Sequence, residues 1–364
     1  MAENPFTPTF GTVPYVMAGR DELLSNVKNA LSRSGRDPLL STLLIGARGT
    51  GKTALLTCIR QEAEQAGWVA VNVVALPGML EDVYEQAMAA SSHLADLKPG
   101  RHLTSVTIGP LSAEWEAEQL RQWNWRTRMT GLLDQLAESG VGLLITVDEA
   151  KADLDELIKL VSVYQLFITE GRKVALVMAG LPYQVHRLVT HKSVSFLRRA
   201  FQYNLKMVAR ADVETALVET FGIGGKAIGG EALKMCSETI GGFPYLLQLV
   251  GYRVWEAARR DETVSIEAAE RGIEQAMSEM DERIIAATFR ELSPGDVRYL
   301  QAMLQDKRES RTADISSRMG VSSGYAAKYK SRLLAQGVIG EPAKGWVAFE
   351  IPGFKEYLIE RISE

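Results

Sequence analysis

Cysteine is nearly missing from this chain of 364 residues: Cys58 and Cys236 stand 178 residues apart, with no CxxC spacing and no histidine beside them. That excludes a disulfide framework and a zinc site, and a reducing, cytoplasmic compartment is expected. Histidine is equally scarce. His93, His102, His186 and His191 have neither ligand nor triad spacing, so metal-hydrolase and Ser/His chemistry find no support. No apolar run approaches the roughly 20 residues that cross a bilayer. The opening MAENPFTPTFGTVPY lacks the charged and apolar regions of a signal peptide, so neither a membrane partner nor secretion is expected. Internal repeats and low-complexity tracts are missing too. Nor is there a general excess of positive charge: 41 Lys and Arg against 45 Asp and Glu leave a net charge of -4. Any nucleic-acid contact must be a local patch.

What the chain does have is a 46 % hydrophobic fraction, enough for two or three cored domains of roughly 150 residues each. From Leu39 to about Val208, short apolar runs alternate with longer amphipathic ones, the pattern of a parallel α/β sheet flanked by helices. The strands expected are Leu39–Gly46, Trp68–Leu76, Gly142–Val147, Lys173–Ala179 and Phe201–Val208, with Lys98–Pro110 a loop or hairpin insertion. From Ala211 to about Phe289 the periodicity is purely helical, which predicts an all-helical unit. Near Ser293-Pro294 a third unit begins, read as helix, short helix at Ala313–Met319, turn, helix at Ser323–Gln336 and two extended runs in Gly337–Ile351. That order predicts a winged helix-turn-helix. The domains expected are therefore 1–208, 209–290 and 291–364.

Gly46-Ala47-Arg48-Gly49-Thr50-Gly51-Lys52-Thr53 matches GxxxxGK[ST] in full, between an apolar strand and a helix pattern. Gripping a triphosphate takes inward-pointing backbone N–H groups, glycines where a Cβ would block approach, and a helix N-terminus. Lys52 is placed for the β- and γ-phosphates, and Thr53 for Mg²⁺. A second apolar strand ends in Asp148-Glu149, at the carboxyl edge where ligands of open α/β sheets sit. Asp148 would hold Mg²⁺ through water, and Glu149 would orient or deprotonate the attacking water.

These residues resemble the AAA+ division of P-loop ATPases, and within it the branch of archaeal-type replication initiators and STAND-like signalling ATPases. The resemblance implies a five-stranded parallel sheet, a helical lid and a C-terminal winged helix, with ATP and Mg²⁺ bound. Met17-Ala18-Gly19-Arg20-Asp21-Glu22 looks like the family's GR-[DE]-E box, which places Arg20 on the nucleotide's adenine side; an ordinary helix start is the other reading. Ser195-Phe196-Leu197-Arg198-Arg199 stands where relatives carry an arginine finger, so by resemblance Arg199, or else Arg198, reaches a neighbouring subunit's γ-phosphate. The alternative is a basic surface pair. Gly241-Gly242-Phe243-Pro244 looks like the STAND GxP motif, which would lay Pro244 against the nucleotide, or else simply starts a helix. Where the family carries a polar γ-phosphate sensor, Ala179-Gly180-Leu181-Pro182 has none, which implies a slow ATPase used as a switch.

Eight basic residues against three acidic ones between Lys307 and Lys344 make a local +5, leaving -9 on the rest. Phosphate-backbone binding needs such an island. Arg318, Ser323, Lys328, Lys330, Arg332 and the wing residue Lys344 are the candidate contacts to duplex DNA. A winged helix also serves as a protein-docking module, so a nucleotide-gated signalling or scaffold protein is the alternative. Either way a homo-oligomer or partner protein is expected. Trp115, Trp123 and Trp125 interleave with Arg121, Arg126 and Arg128 on a predicted helix over 114–136. Trp123 and Trp125 fall about 80° to either side of Trp115, so at least one is expected to meet a partner, with packing on the core as the alternative.

Overall fold

The computed structural model describes residues 3–9, 11–33, 37–95 and 114–363. Five strands, β1 (Ser41–Ile45), β2 (Val69–Val74), β3 (Leu143–Asp148), β4 (Val174–Gly180) and β5 (Phe201–Asn204), form one sheet in the order β2-β3-β4-β1-β5. Every pairing is parallel. The three central strands are Val, Leu and Ile runs because helices cover both of their faces. The edge strand β2 instead alternates buried and open positions. Helices α1 (Asp21–Ser32) and α2 (Lys52–Gln65) lie on one face with Trp68 and Leu144. Helices α3 (Met79–Ala95), α4 (Glu114–Glu138) and α5 (Asp155–Thr169) lie on the other. The short α6 (Pro182–Thr190) and a 3₁₀ turn at Lys192–Arg199 lead into β5.

Strand β5 is shorter than its apolar run predicts. Leu205 N still donates to Ile45 O, but Lys206 O accepts from Arg20 and Val208 N donates to Gly242 O, so the chain turns from the sheet to the next unit. The expected insertion at 98–110 lies outside the described residues.

Beyond the sheet come α7 (Arg210–Ile223), α8 (Gly230–Ile240), α9 (Pro244–Ala257) and α10 (Ile266–Met280). A two-residue parallel pair, β6 (Ala227–Ile228) with β7 (Thr263–Val264), also ties this unit, which is therefore not purely helical. Helix α10 runs on through a π-helical turn, Asp281–Ile285, into α11 (Ala286–Arg290). Then follow α12 (Pro294–Met303), β8 (Glu309–Arg311), α13 (Thr312–Met319), α14 (Ser323–Gln336), β9 (Ile339–Ala343), β10 (Trp346–Phe349) and α15 (Phe354–Ser363). Ser293 and Asp296 cap α12 reciprocally. Strands β8, β10 and β9 form an antiparallel sheet in that order. Strand β8 and helix α15 are additions to the sequence reading.

One apolar core runs without a break from Val213 and Phe221 of the lid to Leu300, Leu333 and Phe354 of the C-terminal unit. The N-terminal segment belongs to it. Phe6 is buried edge-on against Phe221 at 4.8 Å, and a Cβ on Gly251 would stand 2.2 Å from the Phe6 ring. Asn4 donates to Tyr252 O, and Thr7 N donates to the Gln248 side chain. Phe6→Ala is therefore expected to lower denaturant-unfolding stability by about 3 kcal/mol. A loss below about 1 kcal/mol would remove Phe6 from that core.

Candidate functional site

Strand β1 ends where chain direction across the sheet reverses, and the loop Gly46–Gly51 rises from its carboxyl end. Gly49 and Gly51 have φ of 75° and 84°, a backbone that only glycine adopts freely. A Cβ on Gly46 would stand 2.6 Å from Thr50 Oγ1, which itself donates to Ala47 O at 2.8 Å. The half-buried Lys52 donates from Nζ to Gly46 O at 2.8 Å and Ala47 O at 2.6 Å, lying across the mouth of the loop. Burial pulls its pKa down to about 8, and Arg48 adds to the fall, while Asp148, Glu149 and Glu350 oppose it.

At the end of β3, Asp148 is buried and its Oδ2 accepts from Thr53 Oγ1 at 2.5 Å. Its Oδ1 accepts from Glu149 N at 2.8 Å. A hydroxyl and a carboxylate oxygen brought together are hard donors of the kind Mg²⁺ takes. Glu149 is exposed, and it is the one non-glycine residue of positive φ (53°) among those described. A non-glycine side chain held there points to local strain at a working position. Strand β4 supplies backbone rather than a polar side chain: Gly180 O accepts from Gly46 N, and Ala179 O accepts from Ala150 N. Gly180 is needed there, since a Cβ would meet Ala150 O at 2.8 Å.

The lid reaches the same loop. Gly241 and Gly242 are both left-handed, and a Cβ on Gly242 would collide with Val208 O. This double turn sets Phe243 on Gly49, where a Cβ would lie 2.3 Å from the ring tip, and lets Tyr245 N donate to Gly49 O. Pro244 thereby starts α9 beside Gly51. Arg20, 8 % exposed, donates to Lys206 O and lines the same cavity of about 710 Å³ as the loop, Asp148, Glu149 and Pro244.

Among the wall residues that escaped the sequence reading, three come from the far end of the chain. Arg283, on the π-helical turn, lines the cavity and is paired with Glu279, which also holds Arg253. Ala335 and Ile351 bring the C-terminal unit to the same wall. None belongs to a motif, and only the tertiary fold unites them.

Arg199 is exposed and lies outside the cavity of its own chain, whereas Arg198 donates to Val189 O. The +5 island resolves into two groups. Arg318 forks onto Asp306, Lys330 pairs with Glu341, and Arg332 holds Asp296 and Ser293 at the cap of α12. Lys307, Arg308, Arg311, Lys328 and Lys344 are exposed, as is Ser323 at the start of α14. Trp125 turns out to be a core residue: it is 4 % exposed and its indole donates to Leu80 O. The side chains of Arg121, Trp115 and Trp123 lie outside the described residues. Arg126 pairs with Glu170, and Arg128 with Glu81.

Residues 16–166, which include the loop and Asp148-Glu149, match the AAA ATPase domain. Residues 267–358 match a domain of unknown function, DUF8462. No curated protein matches the chain. Among solved structures it is similar to the ORC2 protein of Aeropyrum pernix, described in ADPNP-ADP complexes, at 12 % identity and a TM-score of 0.65, covering 98 % of this chain and 96 % of that one. It is also similar to the Walker-type ATPase paby2304 of Pyrococcus abyssi, at 15 % identity and a TM-score of 0.66, covering 94 % and 96 %. At these identities the likeness is one of fold.

A polyphosphate that displaces the carbonyl partners of Lys52 would raise its pKa again, so binding takes up a proton above pH 8. Calorimetry of MgATP at pH 9 in two buffers of different ionisation heat is expected to show uptake near one proton per nucleotide, and affinity about tenfold weaker than at pH 7. Equal affinity at the two pH values with no uptake would contradict this.

Proposed function

From the premise that residues 16–166 are an AAA ATPase domain carried on the fold of archaeal ORC-type proteins, we propose that the chain is a slow ATP-hydrolysing switch that binds duplex DNA through its C-terminal unit. The observation that carries this reading is the meeting of Lys52, Thr53 and Asp148 under a lid whose Phe243 and Pro244 close on the same loop. Lys52 and the loop amides hold the β- and γ-phosphates, and Arg20 faces the cavity from the adenine side. Thr53 and Asp148 would hold magnesium, whose contribution when bound is to neutralise phosphate charge. Glu149, exposed at the strand end, takes the proton of the attacking water. Hydrolysis is slow because β4 offers no polar side chain to the γ-phosphate. Arg199, with no ion pair among the described residues and outside its own cavity, suits a neighbouring copy's nucleotide in an oligomer.

The C-terminal unit has the element order of a winged helix, with α14 as the recognition helix and the β9–β10 turn as the wing. Its phosphate contacts fall to Ser323, Lys328 and Lys344, since Arg318, Lys330 and Arg332 already serve carboxylates. That neutralisation, with Tyr325 52 % exposed on the same helix, favours a second reading in which the winged helix docks a protein partner. Retention on DNA separates the two.

Two outcomes test the reading. Lys52→Ala should abolish MgATP binding, and Glu149→Gln should keep it while hydrolysis falls at least about 100-fold in a phosphate-release assay. Unchanged turnover in Glu149→Gln would remove its role as base. Reversing Lys328 and Lys344 to glutamate should weaken duplex binding and lower the slope of log affinity against log salt by about two. An unchanged slope would leave the protein-docking reading. Arg332→Glu, by contrast, should chiefly lower thermal stability, because it uncaps α12.

A further inference from the structure

Four of the six tryptophans have described side chains, and three of these four are core residues. Trp68 and Trp125 are each 4 % exposed and donate their indole N–H to Leu31 O and Leu80 O, and Trp255 is buried with the Lys226 ammonium 5.0 Å from its ring. Trp346 is the exception. It is 40 % exposed on the central strand of the β8-β10-β9 sheet, and among the described residues it has no ring partner, no cation over its ring and no side-chain hydrogen bond. In register with it stand Arg311 on β8 and Ala343 on β9, both exposed. Residues directly opposite in an antiparallel ladder put their side chains on one face, so a guanidinium flanks the indole on one side and only a methyl on the other. Val347 and Ser310, one step along, are buried and form the inner face. Lys344 is exposed in the adjoining turn, which is pinned by Thr312 N donating to Gly345 O at 2.9 Å and by Gly345 N donating to Glu341 Oε1 at 3.0 Å. That Glu341 oxygen also accepts from Lys330 at 2.6 Å. Arg311 and Lys344 have no ion pair among the described residues, and Glu309, opposite Ala348, marks the acidic end of the face.

We propose that this face of the wing sheet is a binding site for single-stranded DNA, with an unpaired base stacked on Trp346 and its flanking phosphates held by Arg311 and Lys344. The inference goes beyond the duplex reading and takes from it only the polymer: α14 addresses a paired duplex, whereas this site takes a strand that has left one. Charge and shape together decide the occupant. An uncovered indole beside two cations that no carboxylate answers fits an anion that also carries a flat π-surface. A closed duplex offers phosphates and base edges, but its base faces are stacked on one another, so it satisfies the cations and leaves the ring bare. An unpaired strand satisfies both, because each base has a free face and a phosphate on either side of it. The support is rigid as well. Trp346 lies on a strand paired on both sides, and the turn carrying Lys344 is held at its amide and at its carbonyl. A platform fixed in this way loses little freedom when it is covered. The bond from Lys330 to Glu341 ties the wing to α14, so both faces sit on one body.

The test is anisotropy of a labelled oligo-dT of about twelve nucleotides on the full chain in low salt, with a blunt duplex of the same length for comparison. Wild type should bind oligo-dT, and binding should quench part of the tryptophan emission. Trp346→Ala should weaken oligo-dT binding at least about tenfold and Trp346→Phe no more than about threefold, with duplex affinity changed by less than about twofold in both. Arg311→Gln should lower the slope of log oligo-dT affinity against log salt by about 0.7. Wild type that ignores oligo-dT, or binds it with no change in emission, overturns the proposal without any variant and leaves the face to a protein partner. So does Trp346→Ala that keeps its oligo-dT affinity, or that loses oligo-dT and duplex alike, the pattern of a purely structural residue. The duplex reading fails separately: it is Lys328→Glu that tests it, and Lys328 has no part in this site.

Discussion

One half-buried ammonium organises the molecule. Lys52 can stand at the mouth of the loop only because Gly46 leaves room for Thr50, Gly49 and Gly51 turn left-handed, and the loop's first amide is held by Gly180 of the neighbouring strand. Around that charge the chain gathers the carboxylates at the end of β3, Asp148 and Glu149, which line the same cavity. The rest of the site consists of different ways of approaching this one cation. Backbone carbonyls accept from it at the loop, the lid touches Gly49, three residues before it, and Ile351 brings the C-terminal unit to the same cavity wall.

How the units are fastened decides how such a charge can act at a distance. The lid and the C-terminal unit share an apolar core that also takes in Phe6, and cores packed at protein density move as bodies. The seams between these units and the sheet add hydrogen bonds, a Tyr245 amide on Gly49 O and a Val208 amide on Gly242 O, to the packing of Val16, Ala18, Tyr183 and Val208 on the same apolar cluster. Hydrogen bonds and small contacts of that sort each contribute on the order of 1 kcal/mol. A change of charge at the loop is commensurate with them and small beside the apolar core. The lid and the C-terminal unit are therefore expected to move as one body.

Much of this was legible in the sequence, and the reasons are local. A phosphate loop is a property of eight consecutive residues, so Gly46 to Thr53 is read directly, and Asp148-Glu149 ends an unmistakable apolar strand. The five-strand sheet followed from apolar periodicity alone. Charge counting did less well. Arg318, Lys330 and Arg332 add to a positive island along the chain, but in space Asp306, Glu341 and Asp296 answer them, and all three pairs join residues more than ten positions apart. Helical angles likewise could not show that Trp125 finds Leu80 O, because the partner comes from a different helix. Ile351 and Arg283 had no local signal at all: one follows a strand, the other sits in a helical turn, and only the fold brings both to the cavity wall.

The site also holds energy that a ligand can release. A lysine whose pKa is lowered from 10.5 to about 8 in the folded chain destabilises that fold wherever it must stay protonated. Below pH 8 the whole penalty is present, of order 3 kcal/mol, and it fades only as pH rises toward the unfolded value. Glu149 adds backbone strain at the next carboxylate, since a side chain at φ 53° costs on the order of 1 kcal/mol. Both penalties fall where a polyphosphate would sit, and neither is needed to hold the sheet together. A loop built for stability alone would have kept its lysine hydrated and its glutamate relaxed. These two residues instead make the bound form the more comfortable one, so a polyphosphate in the loop is expected to stabilise the molecule.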